Sequence, residues 1–351
     1  MNQVNLFVFP LKLKHPNAYW DLLYERIGQV SGIKMYHNDF IALIKSFGKN
    51  IVHIHWTNIM YASRYNFLVP VKFLLTTFLL ALTKLRGDRL VWTMHNYHDH
   101  ESRHKFFDRL SVKFLVIFAD AIIVHTKAGA DYLKEELNRK KFVYIIPHGH
   151  YVDFYGQRLT QPDQNLLKKF NISLEDKVFI SLGAIRPYKG LEVLIDIFNT
   201  LPGNYKLLIA GKPFFPKYTQ DLKRRISNSN IIFSDSLVPE ESIPKYFSLA
   251  NFSIFAFSKI LTSGSVIMSL SYGVPAIVPA IGDLQFVVQD GFNGYKYSSR
   301  EHLKKVIEKV SMLSQEEIDL MKSQALEGVK KNTYQDIADK TLQAYNLKEF
   351  F

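Results

Sequence analysis

Residues Ser181–Leu194 read SLGAIRPYKGLEVL, and this stretch decides the fold. The run that leads into it, Lys177–Leu182 (KVFISL), is β-branched and apolar, the composition of a buried strand. Gly183 breaks the run and opens a loop. Lys189-Gly190 then lead into Gly190–Asn199, whose apolar residues recur with helical spacing. A strand that ends in a glycine loop and passes directly into a helix begins a β-α-β unit. Such a turn can bring Arg186 and Lys189 to an anion near the helix N-terminus, where free N–H groups and the helix dipole already favour negative charge. Arginine grips phosphate bidentately and lysine acts as a point charge. Read as structure alone, the same loop is a solvated basic turn before a helix.

The alternation recurs on both sides of this stretch. Lys206–Ala210, Ile231–Phe233, Phe252–Phe257 and Pro275–Val278 are further strands, with helices at Pro239–Ser248 and Ser265–Tyr272. Ile260–Pro279 reads ILTSGSVIMSLSYGVPAIVP. Here Thr262, Ser263, Gly264 and Ser265 form a small polar loop that caps an apolar helix, and Gly273-Val274-Pro275 ends it. The loop is either a plain N-cap or, with its hydroxyls and N–H groups, a second pyrophosphate contact. In the first half, Val4–Phe9, Ile51–Trp56, Leu90–Met94, Ala121–Val124 and Val143–Ile146 read as strands, with helices at Tyr19–Val30 and Pro70–Arg86. The order is α/β and doubly wound, so two parallel sheets with helices on both faces are expected, with a cleft between them. The expected domains are 1–158 and 159–334, joined through the polar stretch Gly156–Lys169, with a terminal helix near 335–351 packing back on the first.

Composition agrees. A chain of 351 residues allows two domains, and 47% hydrophobic with 22% charged residues is ordinary for a packed protein. Disorder and collagen-like repetition are excluded. The absence of cysteine excludes a disulfide framework, a thiolate zinc site, an iron–sulfur cluster and a cysteine nucleophile. No secretory signal opens the sequence, and no uninterrupted apolar run approaches the length that spans a bilayer, the longest candidate stretch, Phe73–Leu82 (FLLTTFLLAL), being 10 residues, so a cytoplasmic protein is expected. Net charge is +12. Residues 1–155 hold 20 basic and 12 acidic side chains (+8) and the remainder 24 and 20 (+4). The excess in the first half points to an anionic partner, either membrane headgroups, a pyrophosphate-bearing acceptor or nucleic acid. Pro70–Arg86 (PVKFLLTTFLLALTKLR) and Ser102–Phe118 combine apolar residues with basic ends, as core helices or as segments resting on an anionic membrane surface.

The histidines of the first half fall at strand ends. His53 and His55 alternate on one strand and so share a face. His95 follows Leu90–Met94 and is followed by Asn96-Tyr97-His98-Asp99-His100-Glu101. His125 follows Ala121–Val124, and His148-Gly149-His150 follow Val143–Ile146. They build a polar rim at the carboxyl edge of the first sheet. Imidazole there suits sugar recognition or acid–base work. The spacing lacks His-Glu-x-x-His, so a metal site is not expected.

In order, GxIRPYKGxxxLI, LLIAGKP, VPEESIPKYFSLANFSIFAF, SGSVIMSLSYGVPAIVP and DGFNG resemble the nucleotide-sugar domain of GT-B glycosyltransferases over most of residues 175–298. Those enzymes have two Rossmann-like domains facing across a cleft. The resemblance implies that Arg186 and Lys189 meet the donor diphosphate, with Gly183 and Lys212 beside them. It implies that Thr262, Ser263, Gly264 and Ser265 flank the diphosphate, and that Leu237 and Val238 lie beside the base. Where the large retaining family carries two glutamates eight positions apart, this chain has Ile260 and Met268, and its Gly-Arg pair is replaced by Gly183-Ala184 with Arg186 two residues on. The chain thus resembles a divergent branch that includes bacterial mannosyl- and glucuronosyltransferases of exopolysaccharide assembly. TMHNxxxHE (93–101), IPHGxY (146–151), HIHW and NAYWDLLY are similar to loops of the same enzymes. By that likeness His95 contacts the donor sugar or the acceptor, and His55, Asn96, His125, His148 and Gly149 line the acceptor side. Asp99, Glu101 and His95 are the candidates for a base if the reaction inverts. No Asp-x-Asp is present, as in the metal-independent group, and no cofactor is implied beyond the nucleotide sugar as substrate.

The expectation is a glycosyltransferase using a UDP- or GDP-linked sugar and a lipid-linked or oligosaccharide acceptor, in peripheral contact with the inner face of a bacterial membrane. Three rivals stand beside it. They are a nucleotide-sugar epimerase of the same architecture, a nucleic-acid-binding protein and a catalytically dead scaffold. No helix-turn-helix, aromatic RNA motif or concentrated basic stripe supports the second, so nucleic acid is not an expected partner.

Overall fold

The computed structural model describes residues 3–9, 18–46, 50–98, 102–201, 203 and 205–347. The chain divides into two compact units, Met1–Gly149 with Asn332–Phe351, and His150–Lys331.

In the first unit the strands are β1 (Val4–Phe9), β2 (Ile33–His37), β3 (Asn50–Ile54), β4 (Arg89–Thr93), β5 (Ala121–Val124) and β6 (Val143–Ile145). They form one sheet in the order β2-β1-β3-β4-β5-β6, every pair parallel. The central strands are continuous apolar runs because helices cover both faces of the sheet. Helix Ala18–Gly28 presents Tyr19, Trp20, Leu23, Tyr24 and Ile27 to a core shared with helix Tyr334–Tyr345, which contributes Ile337, Ala338 and Tyr345. The last helix is therefore part of the first unit.

In the second unit the strands are β7 (Lys177–Leu182), β8 (Tyr205–Ala210), β9 (Ile231–Ser234), β10 (Phe252–Ile254), β11 (Ala276–Pro279) and β12 (Gly294–Tyr297). Their order is β12-β11-β10-β7-β8-β9, all parallel. From the β9 edge this is the 3-2-1-4-5-6 order of a Rossmann sheet. The order reverses between β7 and β10, so the loops leaving the carboxyl ends of those two strands flank the crevice where such sheets bind ligands. The expected doubly wound α/β class is present in both units.

The differences from the sequence reading have local causes. Gly156–Lys169 is not linker throughout. Asp163 accepts from the Leu166 amide at 2.9 Å and starts a helix, Gln164–Phe170, which Asn171 ends at φ 50°. The units divide after Gly149, nine residues before the expected 158. The intervening chain is tied to the second unit through Tyr151 N to Ser271 Oγ (2.9 Å) and Tyr155 N to the Tyr272 hydroxyl (3.1 Å). Phe252–Phe257 pairs only as far as Ile254. The Pro239–Ser248 helix opens as a 3₁₀ turn, Glu240–Ser242. Strands β2 (IKMYH) and β12 (GYKY) escaped the sequence reading because polar residues break their apolar pattern.

The apolar helix of the first unit is longer and more exposed than expected. Asn66–Leu85 is a helical stretch of 20 residues with mean hydropathy 1.7, enough to cross a bilayer by length and composition. Threonines and lysines interrupt it, so it was invisible as a continuous run. Val69, Phe73, Thr76, Leu80 and Thr83 face the protein, while Val71, Leu74, Leu75, Phe78, Leu82 and Leu85 form an exposed stripe at helical spacing. The basic residues at its ends are engaged within the unit. Lys72 donates to the Ala62 carbonyl, Lys84 pairs with Asp120, and Arg86 pairs with Asp88.

Candidate functional site

The loops after β7 and β8 zip together. Gly183 N donates to Ala210 O (2.9 Å), and Ile185 N to Lys212 O (2.9 Å). Close approach is obligatory here, since a Cβ on Gly211 would stand 2.0 Å from the Gly183 carbonyl oxygen. The pairing sets the Arg186 guanidinium over the Phe214 ring, 3.8 Å from its centroid. Pro187–Lys189 make a 3₁₀ turn that ends at Gly190, φ 61°, where a Cβ would stand 2.1 Å from Ala256 O. Helix Leu191–Phe198 begins there. The turn folds the Lys189 side chain back beneath the loop, to 3.0 Å from where a Gly183 Cβ would be, with Ser265 Oγ at 3.8 Å from the same point. Lys189 is only 5% exposed, and among the described residues no carboxylate pairs with it. Burial, and then the Arg186 charge, push its ammonium down to about 8.

Ser263 caps helix Gly264–Ser271, its side chain accepting from Val266 N, so that hydroxyl is used within the helix. Thr262, Gly264 and Ser265 are half-buried at the same N-terminus. Ile260 and Met268, which stand where glutamates were expected, pack into the apolar interior. The structure thus brings Gly183, Arg186, Lys189 and Ser265 into one neighbourhood. Lys212 is exposed, with its ammonium 5.9 Å from the Phe214 centroid. Leu237 is 66% exposed, and Val238 is half-buried against core residues.

In the first unit the strand ends carry a chain of hydrogen-bonded histidines. His53, on β3, and His55, just beyond it, have ring centroids 4.3 Å apart. His55 Nδ1 meets His95 Nε2 at 2.9 Å, and His95 Nδ1 meets His125 Nε2 at 3.1 Å. His125 Nδ1 reaches the Ile146 carbonyl at 3.0 Å. At the other end the Tyr24 hydroxyl lies 2.5 Å from His55 Nε2 and 2.8 Å from His53 Nδ1, and Tyr345 OH lies 2.7 Å from His53 Nδ1. The protons follow from one end. A carbonyl only accepts, so His125 donates from Nδ1. Burial pushes its ring down to about 4, so it is neutral and Nε2 accepts. His95 must then donate from Nδ1 and accept at Nε2. His55 repeats the pattern, and Tyr24 donates to His55. Burial, with the neighbouring histidines adding to it, holds His55 and His95 well below the ordinary imidazole value.

This arrangement changes the roles expected of these residues. Both nitrogens of His95 face other histidines, so it meets a substrate only by giving up His55 or His125. His55 is 1% exposed and His125 3%, which makes them supports for His95 rather than sugar contacts. His148 is buried, its Nδ1 donating to Gly149 O at 2.8 Å and its ring 4.8 Å from Tyr19. Gly149 lies against Tyr334, whose ring would stand 2.5 Å from an added Cβ, so packing alone requires glycine there. Asn96 is half-buried at the rim. Asp99 and Glu101 lie outside the described residues. Sequence reasoning missed Asp108, a buried carboxylate that accepts from Thr57 Oγ1 (2.6 Å) and faces His98 Nδ1 (3.1 Å). It also missed Tyr24 and Tyr345. Among the described residues no group of three or more histidine, aspartate or glutamate side chains is placed to hold a metal ion.

Two parallel Rossmann-like sheets, the second carrying cationic loops at its switch point, define the GT-B glycosyltransferase fold. Residues 162–326 match the family described as glycosyl transferases group 1. GDP-mannose:glycolipid 4-beta-D-mannosyltransferase of Xanthomonas campestris is 23% identical over 242 residues, covering 66% of this chain and 61% of that one. D-inositol 3-phosphate glycosyltransferase of Corynebacterium glutamicum is 25% identical over 198 residues, covering 53% and 47%. The chain thus spans about half to three fifths of these relatives' lengths. Sucrose-phosphate synthase of Thermosynechococcus elongatus superimposes with a TM-score of 0.75 at 14% identity, covering 99% of both chains. Anabaena HepE in complex with UDP superimposes at 0.73 and 13%, covering 98% of this chain and 99% of that one.

Proposed function

We propose that this glycosyltransferase moves a sugar from a UDP- or GDP-linked donor to a lipid-linked or oligosaccharide acceptor in surface polysaccharide synthesis. One observation carries the reading. Lys189 is a buried ammonium without a carboxylate partner among the described residues, beside Arg186, in the crevice where the strand order reverses. A departing nucleoside diphosphate gains negative charge in the transition state, and preorganised cations stabilise that charge without reorganising. The donor is held through Gly183, Arg186, Lys189 and Ser265, without a metal or other cofactor. The acceptor falls to the first unit, around His95, Asn96 and His148, and Asp99 or Glu101 serves as base if the reaction inverts. Two relatives support the acceptor class by name, one acting on a glycolipid and another, from Salmonella typhimurium, on lipopolysaccharide.

The exposed stripe on Val69–Leu85 rests on the inner face of the membrane that carries such an acceptor. Its helix has one face packed on the unit and one apolar face outward, which suits lying on a bilayer rather than crossing it. Because Lys72, Lys84 and Arg86 are engaged internally, apolar insertion contributes more to the membrane contact than headgroup pairing does.

The test is calorimetric titration of UDP and GDP with EDTA present, followed by turnover of the matching nucleotide sugars with lipid-linked acceptors. Binding of neither diphosphate overturns the donor assignment. Conversion of the donor without an acceptor makes the protein an epimerase. Co-sedimentation with anionic vesicles that Leu74→Glu/Phe78→Glu leaves intact overturns the membrane face.

A further inference from the structure

The second unit has a polar pocket that its donor loops do not use. It opens at the amino edge of the sheet, where Lys177-Val178, Asn251 and Gly273-Val274 enter β7, β10 and β11, opposite the edge that carries Lys189 and Ser265. Its volume is about 410 Å³, the size of a small metabolite site. Two cations line it, Arg158 and Lys322.

Their seating is specific. Gly273, φ 69°, has no side chain, and Arg158 Nε lies 3.2 Å from where a Cβ would be, with Lys322 O also at 3.2 Å. The guanidinium therefore rests on the Gly273 backbone, beside the helix that carries Lys322. Among the described residues neither cation has a carboxylate within ion-pair distance, although two acids share the lining. Asp319 accepts from Gln315 Nε2 at 2.9 Å, and Asp176 from Ser173 N at 2.8 Å. Burial lowers the Lys322 ammonium, with Asp319 opposing and Arg158 and Lys177 adding to the effect. Two like charges held together in a partly desolvated pocket repel each other, and a bound anion reverses the sign of that interaction.

We propose that this pocket is a second anion site, separate from the donor loops, which takes a small phosphomonoester such as a sugar phosphate between Arg158 and Lys322. A phosphate matches the pair, because its oxygens accept the arginine fork while the lysine supplies a point charge. Thr160, Gln161 and Gln315 line the same space and offer hydroxyl and amide groups to a polar ligand body. The ligand is a regulator or a second substrate of phosphorylated-sugar chemistry rather than the nucleotide diphosphate of the donor.

The experiment uses the full chain and three probes, inorganic phosphate, a hexose 6-phosphate and the unphosphorylated hexose, read by calorimetry and by thermal midpoint. The hexose 6-phosphate is expected to bind and raise the midpoint, and the unphosphorylated hexose to do neither. Arg158→Gln and Lys322→Met should each weaken binding about tenfold or more, the loss of one charge-assisted contact. Lys322→Met removes a repelled charge, so its unliganded midpoint should not fall and loss of binding cannot be read as misfolding. Lys189→Met and saturating UDP or GDP should leave the binding intact, so the result stands apart from the donor assignment. No binding of either phosphate overturns the proposal. So does binding that Lys189→Met abolishes and Lys322→Met preserves. If inorganic phosphate binds as tightly as the hexose phosphate, the sugar-phosphate assignment fails.

Discussion

Lys189→Met should make the protein more stable and less able to bind its donor. The wild-type ammonium is displaced from 10.5 to about 8, chiefly by burial and secondly by Arg186. That displacement corresponds to roughly 3 kcal/mol against the charged form, of which on the order of 1–3 kcal/mol survives relaxation. The sign follows from proton counting. Between pH 8 and 10.5 the unfolded chain holds this proton and the folded chain does not, so stability rises with pH across that window. Below about pH 8 the whole penalty is present. Methionine keeps the length of the side chain and removes the charge. At pH 7 the variant should therefore melt higher, by roughly 2–4 °C per kcal/mol for a unit of this size. The difference should shrink toward pH 10. Diphosphate affinity should fall about 10- to 100-fold, the worth of a hydrogen bond to a charged group. In the wild type, binding at pH 8–9 should take up a proton, seen as a calorimetric enthalpy that depends on the buffer, and this uptake should vanish at pH 6. Melting curves and calorimetry on both proteins test the whole chain of reasoning. A variant that melts lower at pH 7, or binds UDP and GDP as the wild type does, refutes it.

Other substitutions separate the parts of the two units. Phe214→Ala should weaken diphosphate binding about fivefold by releasing Arg186, while Phe214→Tyr should preserve it, since the cation–π contact needs only the ring face. His125→Ala leaves the His95 Nδ1–H without an acceptor and should lower unfolding free energy by about 1–3 kcal/mol in urea. Tyr345→Phe removes one hydrogen bond to His53 and should lower it by about 1 kcal/mol. Truncation before Tyr334 strips an apolar face from the first unit and should abolish cooperative unfolding there, monitored by amide exchange in β4 and β5. Gly190→Ala places a Cβ 2.1 Å from Ala256 O at positive φ and should reduce soluble yield, measured against Gly87→Ala, where nothing lies within 4 Å.

The strand–loop–helix turn after β7 was legible because its signals are local. Lys177–Leu182, Gly183, Lys189-Gly190 and the helix follow within one short span, and each residue type fits its place in such a turn. The switch point was not legible, since strand order is set by pairing rather than by any residue. The histidine rim was visible as strand-end residues, but its wiring was not. His53 and Tyr345 are 292 positions apart, and periodicity carries no record of that contact. For the same reason His55 and His125 read as ligand contacts when each serves to hold His95. Lys84 and Arg86 read as headgroup contacts because Asp120 and Asp88, which engage them, belong to other elements or to the turn beyond.

Burial is resolved in two opposite ways in this protein, and the contrast separates structural from functional charge. The histidines give up their charge and satisfy one another, and the network is complete without a ligand. Half-buried Lys84 takes Asp120 as partner, which also accepts the Leu90 amide at 2.7 Å. Lys189 keeps its charge and, among the described residues, has neither remedy. A carboxylate beside it would stabilise the fold and also occupy the place of an anionic ligand, so an unpartnered buried cation is what a diphosphate site requires. The same substitution in the two lysines should therefore act with opposite signs. Lys84→Met leaves the Asp120 carboxylate, 29% exposed, without its ammonium and should cost about 0.5–1 kcal/mol. Lys189→Met should stabilise. Urea unfolding of both variants at pH 7 decides the matter, and two shifts of the same sign would remove the ground for reading Lys189 as a ligand contact.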